Sequence, residues 1–308
     1  MKARYLSLQG LLLWQRGPRP IDWGQQFGRQ APLEVEIGFG NGEFLTQQAQ
    51  AHPERDFIGI ELEWASVQRG LRHVTQAQLS NVRFLMVDAR VALERLFVPC
   101  TVHRISSLFP CPWPKERHAR HRLFATSLLR LANSRLIEAG EVQIVTDYHP
   151  YLQWILEQLP DTGFSAQWTP VPTHFRSKYA RKWASTGQQE FYELRLAKVA
   201  HKTMALTEDV PLQNQRVQHF DAERFRPEDV RGTINVACKE FLYDPVRRKG
   251  LLWVFVTEET LEQDFWIEIA CRDHDWVIRP ARGCGVIPTL GVQRALDLVR
   301  DSAQQTTP

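Results

Sequence analysis

Apolar and acidic residues alternate at one point near the start of the chain and predict a strand followed by a tight turn. In the segment LEVEI at 33–37, the three apolar residues fall on every second position, so a strand would place them on one face. Three glycines follow at alternate positions, Gly38, Gly40 and Gly42, and residues 43–45 then open a helix. A glycine-rich turn between strand and helix allows a backbone to approach a ligand closely, because no Cβ intervenes.

The same reading of apolar runs predicts a series of strands and helices after this turn. We predict strands at Phe57–Glu61, Val82–Val87, Arg104–Phe109 and Glu141–Thr146, edge strands at Ser165–Thr169 and Phe191–Leu196, and helices at Trp64–Leu79 and Tyr151–Leu159. Strands that alternate with helices are typical of a doubly wound α/β sheet. The first part of the chain is therefore predicted to have this fold class.

Acidic residues stand at the ends of the first three predicted strands. They are Glu36, Glu61 and Asp88, the last followed by Ala89. In a doubly wound sheet the carboxyl ends of the strands face the ligand, and an acid after the second strand can accept the hydroxyls of a ribose. A solvated strand-end acid is the alternative for each residue alone. All three in order, behind a G-x-G-x-G turn, favour a nucleoside-containing ligand.

Two basic and aromatic segments lie farther along the chain. Prolines at 110, 112 and 114 exclude a regular helix or central strand from the first, FPCPWPKERH at 109–118. We predict that a basic helix follows, with Arg117, Arg120, Arg122, Arg130, Arg135, His118 and His121. The second segment is FRSKYARKW at 175–183. Both segments could bind phosphates and stack bases on their aromatic rings, or could be solvated surface.

Composition limits the class of protein. The chain has 308 residues, of which 43% are hydrophobic and 24% charged, as in a globular protein of one or two domains. No apolar run approaches the roughly 20 residues of a membrane span. Five cysteines without a CxxC pair argue against a disulfide framework and predict the reducing cytoplasm. The net charge of +3 is small, so only its distribution is informative.

The pattern changes near residue 199 and predicts a second domain. We divide the chain into an arm at 1–30, an α/β domain at 31–198, a polar and proline-punctuated linker at 199–227, and an α+β module at 228–308. The module has predicted strands at Thr233–Tyr243, Leu251–Thr257, Phe265–Ala270 and Trp276–Pro280 and a helix at Gly291–Ser302. Cys271 and His274 have the spacing of zinc ligands, but no second close pair accompanies them, so no metal site is predicted.

Several of these motifs occur together in one known family. DWGQQFG, PLEVEIGFGNGEFL, FIGIE, VDA, LFPCPWPKERH, VTDYHPY and SKYARKW follow one another between about 22 and 198. In this order they resemble the bacterial tRNA (guanine-N7)-methyltransferase family (TrmB). The resemblance implies a class I methyltransferase fold with a mixed seven-stranded sheet, S-adenosylmethionine (SAM) as methyl donor, and tRNA guanine at position 46 of the variable loop as substrate.

The resemblance also implies which residues form the site. Cofactor-binding positions are Glu36, Gly38, Gly40, Gly42, Glu61, Asp88, Ala89 and Cys111, and catalytic positions are Cys111 and Asp147. Substrate-binding positions are Lys115, Arg117, His118, Asp147, Ser177, Tyr179 and Arg181.

This chain departs from the family pattern at three of its positions. Cys111 stands where the family has an aspartate, Ser177 replaces its threonine, and Ala180 replaces its glutamate. Two alternatives therefore stay open, a relative with another substrate and a tRNA-binding protein without turnover. We expect the Cys111 thiol to be small, buried and unreactive. The sequence does not distinguish a monomer from a homodimer, nor RNA docking, dimerisation and bracing as roles of the C-terminal module.

Overall fold

The computed structural model describes residues 6–171, 191–258 and 261–306. These residues fall into two compact units, an N-terminal unit, Met1–Thr207, and a C-terminal unit, Glu208–Pro308. Each unit has its own sheet and its own hydrophobic core.

The N-terminal unit is built on a seven-stranded sheet. Its strands are β1 Leu33–Ile37, β2 Asp56–Glu61, β3 Val82–Met86, β4 Val102–Leu108, β5 Leu136–Thr146, β6 Phe164–Val171 and β7 Phe191–Lys198, in the order β3-β2-β1-β4-β5-β7-β6. The pairs among β1 to β5 are parallel, and β7 is antiparallel to both β5 and β6. The mixed seven-stranded sheet expected of a class I methyltransferase is thus confirmed. Of the two strands predicted as edge strands, β6 lies at an edge and β7 is interior.

Helices connect the strands of this unit. They are α1 Trp23–Phe27, α2 Glu43–Ala51, α3 Trp64–Gln76, α4 Ala89–Arg95, α5 Thr126–Arg135 and α6 His149–Glu157. All five residues of β1 are buried, so both faces of the central sheet are covered. Parallel strands in this setting place their carboxyl ends along one edge, where loops can form a ligand site.

The N-terminal arm pairs with the outer edge of the sheet. The Phe84 amide donates to the Gly10 carbonyl (2.8 Å), and the Leu12 amide donates to the Phe84 carbonyl (3.0 Å). The Trp14 indole then donates to the Met86 carbonyl at the end of β3 (3.2 Å). An exposed strand edge invites unwanted pairing, and these contacts cover part of the β3 edge.

The predicted continuous basic helix after the proline loop is wrong. A 3-10 turn at Glu116–His121 ends before residue 122, and α5 begins only at Thr126. Arg135, expected on its basic surface, is fully buried. Its guanidinium donates to the carbonyls of Leu93 (2.6 Å), Met204 (2.9 Å) and Ala205 (3.2 Å). Carbonyls from distant segments therefore compensate this buried charge.

The C-terminal unit is an antiparallel sheet with one helix packed on it. Its strands are β8 Gln215–Val217, β9 Ile234–Asp244, β10 Lys249–Glu258, β11 Leu261–Arg272 and β12 Asp275–Pro280, in the order β8-β12-β11-β10-β9, and its helix is α7 Leu290–Gln304. An α+β module was expected here. Strand β8 lies inside the range 199–227 that the sequence predicts as a linker, because Val217 is buried in the core of this unit.

Two properties of the described residues bear on the kind of protein. None of their helices is long and apolar enough to cross a bilayer. No group of three or more metal-ligating side chains gathers within the described ranges, and Cys271 and His274 belong to no such group there.

Candidate active site

The glycine turn after β1 has the conformation that its sequence demands. Gly38, Gly40 and Gly42 have φ angles of +70°, +58° and +75°, which residues with a side chain rarely adopt. A Cβ on Gly42 would lie 2.9 Å from the Gly70 Cα, so this glycine is also needed for helix packing. Cβ atoms on Gly38 or Gly40 would meet nothing within 4 Å, so the turn faces open space.

Glu61, at the end of β2, is bound to this turn. One of its carboxylate oxygens accepts from the Gly40 amide (3.0 Å), and the other accepts from the Leu62 amide (2.9 Å). Oε1 also accepts from the Glu63 amide (3.5 Å). Backbone donors therefore fix the carboxylate, and a second lone pair of Oε2 is left for a ligand hydroxyl.

Among the acids of the site, Glu36 has the most strongly raised pKa. It is 2% exposed, and its Oε2 has no hydrogen-bond partner within the described part of the chain. Burial, and secondly repulsion by Glu61, raises the pKa of Glu36 to about 8. A buried carboxyl without a partner is costly, and a cationic ligand group beside it would supply the missing interaction.

Asp88 and Ala89 follow β3 as expected. Asp88 caps α4, since its Oδ1 accepts from the amides of Arg90 (2.8 Å) and Val91 (3.4 Å). Ala89 is buried, and Asp88 is partly exposed. The cap fixes the direction of the Asp88 carboxylate at the carboxyl edge of the sheet.

Large apolar side chains also lie exposed at the ends of β2 and β3, and sequence reasoning missed them. Leu62 is 62% exposed, and Trp64 and Met86 are each 40% exposed. They are close in sequence to Glu61 and Asp88, the acids predicted to hold a nucleoside. Apolar surface beside a few fixed polar groups is typical of a small-molecule site. Their position within three residues of an acid at a strand end was the signal available in the sequence.

The proline loop after β4 is backbone-strained. Phe109 and Trp113 have φ angles of +54° and +43°, conformations that are uncommon for bulky residues and that cluster at functional sites. The Phe109 amide donates to the Val145 carbonyl of β5 (2.7 Å), which fixes the start of the loop. Cys111 is exposed, so our expectation of a buried thiol is wrong. Residues 113–117 of the same loop are exposed as well, so this part of the loop lies at the surface.

Arg122, predicted as part of the basic helix, is instead buried and supports the proline loop. It is 6% exposed. Its guanidinium donates to the carbonyls of Pro112 (3.1 Å) and Trp113 (3.3 Å) and lies 5.1 Å from the Trp154 ring centre. The loop conformation thus depends on a buried cation.

The other basic residues of the loop are at the surface. Lys115 and Arg117 are exposed, and His118 is partly exposed. The His118 ring lies 5.8 Å from the Trp113 ring, and the His121 ring lies 5.2 Å from it. Lys115 and Arg117 are therefore available to an anionic partner.

Asp147 directly follows β5. It is partly buried, and desolvation raises its pKa above the ordinary value, with a backbone hydrogen bond acting in the opposite direction. Leu108 and Val145 are paired in the sheet, so Asp147 and the proline loop emerge from neighbouring strands.

The fold thus places the predicted residues along one edge of the sheet, in the order Asp88, Glu61, Glu36, proline loop and Asp147. A direct contact joins Gly40 and Glu61. Ser177, Tyr179 and Arg181 lie outside the described residues, as do Ala180 and the other basic residues of the segment at 175–183.

The sheet order and the acidic, glycine-lined edge define the class as a methyltransferase of the class I fold. A family described as "Putative methyltransferase" matches residues 30–194, more than half of the chain. A tRNA (guanine-N(7)-)-methyltransferase of Chlorobium phaeobacteroides is 43% identical over 169 residues, covering 55% of this chain and 83% of the relative. The chain belongs to the bacterial tRNA (guanine-N7)-methyltransferase family.

The similarity to a second relative extends into the C-terminal unit. The tRNA (guanine-N(7)-)-methyltransferase of Thermotoga maritima is 33% identical over 282 residues, covering 87% of this chain and 88% of the relative. Because the N-terminal unit ends at Thr207, an alignment over 87% of the chain must continue into the C-terminal unit.

Proposed function

We propose that this protein transfers a methyl group from SAM to N7 of a guanine in the variable loop of tRNA. The observation that carries the proposal is the similarity to the Thermotoga maritima tRNA (guanine-N(7)-)-methyltransferase over most of both chains. The site residues proposed below are consistent with that reaction. A cytoplasmic location follows from the substrate.

The residues at the first three strand ends fit SAM as a ligand. The open space over Gly38 and Gly40 admits a ligand against the backbone. The unpartnered Oε2 of buried Glu36 fits the ammonium group of the methionine part. Glu61 would accept the ribose hydroxyls and Asp88 the adenine amino group. When bound, SAM supplies a methyl group that is reactive because its sulfur is positively charged.

Methylation at N7 depends on positioning the guanine against the methyl group and does not require proton transfer. Guanine N7 carries a lone pair and no proton in a nucleoside, so no general base is required. The site must align N7 with the methyl group, and alignment of this kind can contribute about 7–11 kcal/mol. A side chain at position 111 therefore does not have to remove a proton, and the Cys111 thiol is compatible with turnover.

We assign guanine recognition to Asp147. Its carboxylate would accept from the guanine N1–H and amino group, which are donors. Because desolvation raises its pKa, the carboxylate becomes protonated at a higher pH than an ordinary aspartate. Base recognition should accordingly be present at neutral pH and be lost as the pH falls through this raised pKa.

We assign the phosphate contacts to the exposed basic residues of the N-terminal unit. This unit has 25 Lys and Arg against 18 Asp and Glu, a net charge of +7, whereas the C-terminal unit has 13 against 17, a net charge of −4. Positive charge favours a polyanion. Lys115, Arg117 and His118 are our proposed tRNA contacts, and Ser177, Tyr179 and Arg181 stay predictions.

A second candidate function is tRNA binding without turnover. Cys111 and Ala180 favour it, because each replaces a carboxylate of the family pattern. Nucleoside analysis of tRNA from a strain lacking the gene, with and without the restored gene, separates the two. We expect 7-methylguanosine to disappear and return, whereas an unchanged content would reject the proposed activity in that strain.

A further inference from the structure

Three aromatic side chains form a cluster beside Asp147 that the reaction described above does not use. The His149 ring lies 5.0 Å from the Tyr192 ring and 6.0 Å from the Trp168 ring. Trp168 and Tyr192 lie 6.0 Å apart, and all three pairs meet at steep angles of 65° to 75°. The cluster is thus a compact group of rings from three different elements.

Sheet register places this cluster at the proposed substrate end of the unit. Tyr192 of β7 pairs with Thr146, the last residue of β5, and Asp147 follows at once. His149 begins α6 two residues after Asp147. Trp168 stands on the edge strand β6, beside Leu194 and two residues from Pro170, the sheet partner of Tyr192.

The cluster remains open to solvent on one side. Trp168 is 41% exposed, and Tyr192 and His149 are partly exposed. A large aromatic ring left open on an edge strand loses the stabilisation of burial and creates a site for unwanted association. Its apolar face is, however, the surface on which proteins stack the unpaired bases of RNA.

We propose that His149, Trp168 and Tyr192 form a stacking platform for a tRNA nucleotide next to the target guanine. The inference rests on the proposed function, because Asp147 must receive that guanine. Continuity with Asp147 and the +7 charge of the N-terminal unit favour RNA as the occupant over a second copy of this basic unit. Only one residue separates Asp147 from His149, so a nucleotide adjoining a base held at Asp147 would lie within reach of the cluster.

The test compares Trp168→Leu with Trp168→Phe in the full-length protein, using an unmodified tRNA transcript. Leucine keeps apolar volume but has no ring face, whereas phenylalanine keeps one. We expect Trp168→Leu to lower tRNA affinity about 5- to 100-fold and to raise KM for tRNA, with KM for SAM unchanged. Trp168→Phe should retain most of the affinity.

The chain offers a matched control. Trp253 is 37% exposed and stacks with Trp266 at 6.3 Å, but it belongs to the C-terminal unit, whose net charge is −4. Trp253→Leu should leave tRNA affinity unchanged. Equal weakening by both leucine variants would overturn a specific role of the platform.

A crosslinking measurement keeps the inference testable if Trp168→Leu folds poorly. A benzophenone amino acid placed at position 168 should crosslink to nucleotides beside the target guanine, and the same group at position 253 should not. If wild type methylates tRNA, the proposed function stands. Unchanged tRNA affinity in Trp168→Leu, or no crosslinks from position 168, would then reject the platform only. Wild type that neither binds nor methylates tRNA would reject the proposed function first, and the platform with it.

Discussion

Glu36 should make SAM binding release a proton, because burial holds its carboxyl protonated in the free protein. The pKa of Glu36 is raised to about 8 by burial and by Glu61. At pH 7 such a carboxyl is protonated in about nine molecules out of ten. If its Oε2 receives the ligand ammonium, the bound carboxyl must be ionised. Binding at pH 7 should therefore release about 0.9 protons.

The same linkage sets the pH dependence of affinity. Between pH 5.5 and 7, SAM affinity should rise about 30-fold, because the free-energy cost of deprotonating Glu36 falls as the pH approaches its pKa of about 8. Measurements should stay below pH 7, because an α-amino group loses its own proton at about 7.7–8.0. Titration calorimetry in buffers of different ionisation enthalpy reports the released proton directly.

Glu36→Gln is the matched variant, because it keeps the shape of the side chain and removes its ionisation. It should bind SAM more weakly, release no proton and show a flat affinity between pH 5.5 and 7. It should also stabilise the ligand-free protein at pH 8. A carboxyl with a raised folded-state pKa leaves stability intact below its ordinary pKa of 4.5 and lowers it by up to about 5 kcal/mol as the pH rises through about 8. Equal proton release by wild type and Glu36→Gln would refute this reasoning.

Four other variants test separate parts of the site. Glu61→Ala should weaken SAM binding by about 1.5–3 kcal/mol in calorimetry, because it removes a charged acceptor, and unchanged affinity would reject that assignment. Asp147→Ala should nearly abolish methyl transfer, whereas Cys111→Asp at its exposed position should keep the melting temperature and show equal or higher activity; full activity in Asp147→Ala would contradict our assignment. Arg122→Met should lower the free energy of unfolding by about 2–4 kcal/mol in denaturant titrations, because two loop carbonyls lose a charged donor, and a loss below 0.5 kcal/mol would show that the loop does not depend on it.

The strand–turn–helix core could be predicted because its signals are local. Alternation at 33–37 and the three glycines define β1 and the turn within ten residues, and the positive φ angles explain why glycine is required there. The acids at the strand ends could be identified for the same reason.

The role of individual arginines could not be predicted, because it depends on distant partners. Arg135 looks like a surface cation in the sequence, but it binds carbonyls 42 and 69 residues away. Arg122 is buried under a loop whose conformation depends on positive φ angles at Phe109 and Trp113, which no local pattern indicates. Strand β8 has only three residues, too few for a sequence pattern, and its position depends on the packing of Val217 into the core of the C-terminal unit.

Methyl transfer from labelled SAM to purified unmodified tRNA, with the product nucleoside identified, tests the proposed activity most directly. We expect 7-methylguanosine as the labelled product, and loss of the label when the variable-loop guanine is replaced by adenine. Binding of tRNA without labelled 7-methylguanosine would contradict it, as would a label that appears in another nucleoside.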